Sequence, residues 1–133
     1  MCIRDRFNVI AINGTAGNDV ITLSSHNVIR FGIHQVLVDW SINGGPNHSA
    51  GVLPTDSVFV DTGTGTDEVN VLSTVAGVGT TIQGDSATDD ILNIGGGPNG
   101  LQGIQGSITV ASSAALWGIT ADDGNDTLSL IHI

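Results

Sequence analysis

Gly14-Thr15-Ala16-Gly17-Asn18-Asp19-Val20-Ile21-Thr22-Leu23 and Gly63-Thr64-Gly65-Thr66-Asp67-Glu68-Val69-Asn70-Val71 share one design. A glycine-rich turn runs into an aspartate, and a short run rich in Val, Ile and Thr follows. Ser86-Ala87-Thr88-Asp89-Asp90-Ile91-Leu92-Asn93-Ile94 and Asp122-Asp123-Gly124-Asn125-Asp126-Thr127 repeat it. Short apolar runs bounded by Gly, Asn, Asp and Ser read as strands between turns. Taking Asp19, Asp67, Asp90 and Asp126 as the residues that open the strands, the intervals are 48, 23 and 36. These lie near multiples of about 12, one strand plus one turn.

The same punctuation extends along the chain. Val28-Ile29-Arg30-Phe31, Val36-Leu37-Val38, Val58-Phe59-Val60, Thr80-Thr81-Ile82, Ile108-Thr109-Val110 and Leu116-Trp117-Gly118-Ile119 are further short strands. Asn13-Gly14, Asn43-Gly44 and Asn99-Gly100 mark turns, because both residue types accept positive φ at little cost. Val and Ile outnumber Leu, which suits a pleated surface. No stretch carries a 3.6-residue period free of glycine, so essentially no helix is expected. Repetition at this scale predicts an all-β chain built as a right-handed parallel β-solenoid, each coil burying its apolar side against its neighbours. An antiparallel β-sandwich is the alternative. Asn43 to Pro54, rich in Gly, Asn and Ser, reads as a loop inserted into the stack.

Composition removes several classes of function. The 133 residues hold three Lys+Arg against 13 Asp+Glu, a formal charge of −10. No basic patch can form, so nucleic acid is not a partner. One cysteine makes no disulfide framework. No apolar run approaches the length of about 18 residues that a membrane span needs.

The two ends read as translated sequencing adapter. Met1-Cys2-Ile3-Arg4-Asp5-Arg6 back-translates to an oligonucleotide whose reverse complement encodes Leu-Ser-Leu-Ile-His-Ile, which is Leu128 to Ile133. Both are set aside as scars, leaving 7–127 as a slice of one repeat domain. Without Arg4, Arg6 and Asp5, Arg30 is the sole base against 12 acids, a formal charge of −11.

Gly17-Asn18-Asp19-Val20-Ile21 resembles the glycine-rich nonapeptide of calcium-binding repeats-in-toxin proteins, with Thr15 where a second glycine is expected. Thr62 to Thr127 is similar to the repeat blocks of very large exported bacterial surface proteins. Segments such as Thr66-Asp67-Glu68-Val69-Asn70-Val71 and Leu101-Gln102-Gly103-Ile104-Gln105-Gly106 carry that likeness. It implies a parallel β-solenoid in an extracellular or cell-surface setting.

Two roles fit the aspartates. Calcium needs six to eight oxygens, and Asp19, Asp67, Asp89, Asp90 and Asp126 are the candidate ligands. The toxin-type site, however, requires nonapeptides in direct tandem, whereas these copies stand 23 or more residues apart. The competing role is turn capping, in which each carboxylate accepts backbone N–H groups. Catalysis has thinner support. Asp89-Asp90 and Asp122-Asp123 are carboxylate pairs, but neighbours on an extended chain point to opposite faces, and Arg30 stays protonated. His26, His34 and His48 match no zinc spacing. Ser25, His26 and Asp39 form a nominal trio that any chain of this length offers. Trp40 and Trp117 suit either a core corner or a sugar-stacking platform.

These readings converge on a non-enzymatic stalk, spacer or adhesin-like segment of an exported bacterial surface protein, whose partners are neighbouring repeats. A calcium- or carbohydrate-binding adhesive module, presented to a cell-surface glycan, is the alternative.

Overall fold

The computed structural model describes residues 8–84, 89–111 and 117–122. Among the described residues ten strands follow one another: β1 (Val9–Asn13), β2 (Val20–Arg30), β3 (Ile33–Ile42), β4 (His48–Val52), β5 (Ser57–Asp61), β6 (Glu68–Val71), β7 (Gly79–Gln83), β8 (Asp90–Gly95), β9 (Ile108–Ala111) and β10 (Trp117–Asp122). One short 3₁₀ turn, Gly100–Gly103, precedes β9.

The strands form two sheets. One has four strands in the order β1-β5-β7-β9, all parallel. The other has six, β10-β8-β6-β2-β3-β4, in which β10, β8, β6 and β2 are parallel while β3 and β4 return antiparallel. From β5 onward the chain alternates between sheets, so from β7 onward each strand pairs in parallel with the one two back in sequence, while β5 and β6 pair with β1 and β2. The parallel β-solenoid expectation is therefore corrected. The chain is all-β, but its sheets are two, one is mixed, and neither closes on itself. A sandwich describes it better, although most of its pairings are parallel rather than antiparallel.

The physical reason lies in two tight turns. Asn43 and Gly44 both have positive φ, 55° and 68°, and form a turn in which the Gly45 N–H donates to the Ile42 carbonyl at 3.0 Å, within the connection that returns β4 antiparallel to β3 with Trp40 opposite His48. Phe31 and Gly32 repeat that geometry at 52° and 75°. Val28-Ile29-Arg30-Phe31 and Val36-Leu37-Val38 are consequently the two arms of one long hairpin rather than successive parallel rungs. His48–Val52, read as part of the inserted loop, forms β4.

The core lies between the sheets and is built of register columns. Ile21, Val69 and Leu92 are consecutive Cα partners, as are Ile12, Val60 and Ile82 on the facing sheet. All six are at most 1% exposed. Alternate residues along these strands face outward, as in β6, where Val69 and Val71 are buried and Glu68 and Asn70 only partly so.

Candidate functional site

The register that aligns the core also aligns the aspartates. Val20 pairs with Glu68, and Glu68 with Ile91, so the preceding residues Asp19, Asp67 and Asp90 stand in one column at the mouth of the sandwich. None is more than 2% exposed. Each is held at the corner where a glycine-rich turn becomes a strand.

Their carboxylates bind backbone. The Asp19 N–H donates to Oδ1 of Asp67 at 2.8 Å, and the Asp67 N–H donates to Oδ1 of Asp90 at 3.0 Å. The peptide chain reinforces the link, Glu68 N–H donating to the Asp19 carbonyl and Ile91 N–H to that of Asp67, both at 2.8 Å. Asp19 is the outer member of the column and is closed from above. The Thr15 N–H donates to its Oδ2 at 2.5 Å, the Thr15 hydroxyl donates to Oδ1 at 2.9 Å, and Asn43 Nδ2 donates to Oδ1 at 2.7 Å. Asn43 also accepts the Val20 N–H through its own Oδ1 at 2.8 Å. Burial alone raises the Asp19 pKa. The hydrogen bonds from the Thr15 backbone, the Asn43 amide and the Thr15 hydroxyl outweigh it, and the net pKa lies below the usual 3.8.

The glycines of the motif have a matching cause. A Cβ on Gly14 would stand 2.1 Å from the Thr62 carbonyl oxygen, and one on Gly63 would stand 2.2 Å from that of Thr15. Successive corners stack backbone on backbone, with room only for hydrogen.

The remaining expected residues scatter. Asp89 is exposed beside buried Asp90, and Asp126 lies outside the described residues. The column's next register position, opposite Asp90, is Trp117. Among the described residues, no group of three or more His, Cys, Asp or Glu side chains is arranged to hold a metal ion. Asp67 Oδ2 is buried without a hydrogen-bond partner. Ser25, His26 and Asp39 do not form a relay. Asp39 accepts from Ser49 and contacts His26 Nδ1, whereas Ser25 bonds Ser73, its N–H donating to Ser73 Oγ at 2.7 Å. Trp40 is half-buried against the core, its ring 5.5 Å from that of His48 in a stack.

Comparison with protein-family models, with curated proteins and with solved structures found no match.

Two polar devices escaped the sequence reading. Asp56, 4% exposed, accepts the N–H groups of Leu53 at 2.9 Å and Asn8 at 3.2 Å. Thr74 Oγ1, also buried, accepts those of Gln105 and Gly106 at 3.0 and 2.8 Å. Neither sits in a glycine-rich repeat, so nothing local in the sequence marked it. A groove of about 630 Å³ opens beside Thr74, lined by Ser25, Asn27, Ser73, Asn99 and Gln105 among others. Its lining includes hydroxyls and amides but no carboxylate.

Proposed function

We propose that this chain is a structural segment, a spacer or adhesin-like unit of an exported bacterial surface protein, without catalysis of its own. The observation that carries this reading is the use made of the buried carboxylates. Asp19 and Asp67 are linked through the Asp67 carboxylate, and Asp67 and Asp90 through that of Asp90. Carboxylates engaged with the fold at the corners serve it, and are poorly placed to move protons on a substrate. A six-stranded sheet spans about 24 Å across its strands at ~4.8 Å per neighbour, which gives the unit a defined length.

Pulling the chain from residues 8 and 122 by atomic force tests this. A mechanical unit is expected to resist and then rupture cooperatively, and to leave a panel of acidic polysaccharides uncut. Gradual extension without a force peak, or measurable sugar cleavage, contradicts it.

The groove beside Thr74 favours a second reading, an adhesive module for a neutral glycan, since its hydroxyl and amide lining complements sugar hydroxyls. Binding on a glycan array that Asn27→Ala and Asn99→Ala together abolish would establish it.

A further inference from the structure

Charge and apolar surface are segregated on one element. No Asp or Glu occurs from Val20 to Val38, although the chain has 13 acids, and Arg30 lies in that interval. β6 accompanies β2 only to Leu23, and β4 accompanies β3 only from Val36 onward. Among the described residues, Asn27 to Gln35 is therefore a two-stranded ribbon with no third strand, extending about 13 Å at ~3.3 Å per residue.

The ribbon's tip exposes an apolar side chain on each face and at its apex, Ile29 beside His34 on one face and Ile33 beside Arg30 on the other. Ile29 is 65% exposed, Phe31 102% and Ile33 69%. Ile29 pairs with His34 and Arg30 with Ile33, so Ile29 and Ile33 project from opposite faces, and Phe31 occupies the apex. Phe31 also holds a φ of 52°, where a bulky residue is disfavoured and Asn or Gly is at home. Fold stability gives no reason for phenylalanine there. A flat protein surface could touch one face of this tip. A fluid apolar medium can surround all three side chains.

We propose that the β2–β3 ribbon is a membrane-surface anchor whose tip enters the interfacial zone of a bilayer containing anionic lipid. Ile29, Phe31 and Ile33 lie at the acyl boundary, and Arg30 meets the headgroup phosphates, its aliphatic stem lying along the apolar tip. Along the ribbon the first carboxylate is that of Asp39, paired with Ser24 and so about 20 Å from Arg30 at ~3.3 Å per residue, beyond the Debye length of about 8 Å at physiological salt. This anchor is independent of the spacer reading.

Co-sedimentation of the full chain with vesicles tests it, using phosphatidylcholine alone and an equimolar mixture with phosphatidylglycerol. Wild-type chain is expected to bind the mixed vesicles. Phe31→Asn, which suits the turn, is expected to weaken that binding roughly tenfold or more. Arg30→Gln is expected to weaken it about fivefold on the anionic mixture and to leave binding to phosphatidylcholine unchanged. Failure of the wild-type chain to bind either vesicle overturns the proposal, as does undiminished binding by Phe31→Asn. Light scattering is run alongside. Self-association that Phe31→Asn abolishes, without vesicle binding, would make the tip a contact between copies and likewise overturn the anchor.

Discussion

At Gly63 the backbone has a φ of 85°, and a Cβ would meet the Thr15 carbonyl at 2.2 Å. Gly63→Ala thus adds both strain and a clash that backbone must absorb. It is expected to cost at least about 2 kcal/mol, read as a lower midpoint in urea. Asp67 offers a finer comparison. Asp67→Ala leaves the buried Asp19 N–H without its acceptor and is expected to cost about 1–3 kcal/mol. Asp67→Asn keeps an acceptor oxygen and removes a charge from the column, so it is expected to stay within about 1 kcal/mol of wild type. Asn can offer calcium an oxygen but not the charge that raises affinity, so a thermal stabilisation by calcium that Asp67→Asn abolishes would support an ion site instead. Because the Asp19 pKa is lowered on folding, its contribution is complete above the unfolded value. It is lost as pH falls through the lower folded value. Melting temperature is expected to drop between about pH 5 and about pH 2, and to drop less in Asp19→Asn.

The hairpins show how much of each element was legible. The strands themselves were, because Val-Ile-Thr runs between Gly, Asn and Asp carry a local cause. Asn43-Gly44 was legible as a turn, and its paired positive φ values lie in the connection through which β4 returns antiparallel to β3. The wider repeat hid that consequence. Phe31-Gly32 was illegible, since Phe is the wrong residue for positive φ. Phe31→Asn is accordingly expected to raise stability by a few tenths to about 1 kcal/mol. A melt showing clear destabilisation would mean that the Phe31 ring supports the fold. Asp56 and Thr74 were hidden for another reason: their partners Asn8 and Gly106 lie 48 and 32 residues away.

Across the whole molecule, the Gly-Asp turns read from the sequence as strand openings include Asp19, Asp67 and Asp90, which the register sets in one column. The fourth, Asp126, read from the same turn design, lies outside the described residues, and the register position opposite Asp90 is Trp117. Sequence periodicity conveys which strands are alike. It does not convey which sheet each joins, because that depends on hairpins that interrupt the period. β3 and β4 extend the six-stranded sheet beyond β2, while β1 and β9 remain the edges of the four-stranded sheet.

Hydrogen exchange at a single amide tests the aspartate column most directly. The Asp19 N–H is expected to exchange only through global unfolding in the wild-type chain, and to lose much of that protection in Asp67→Ala while the amides of the Val60–Ile82 core remain slow. An Asp19 amide that exchanges freely in the wild type, or that is equally protected without the Asp67 carboxylate, would contradict the column.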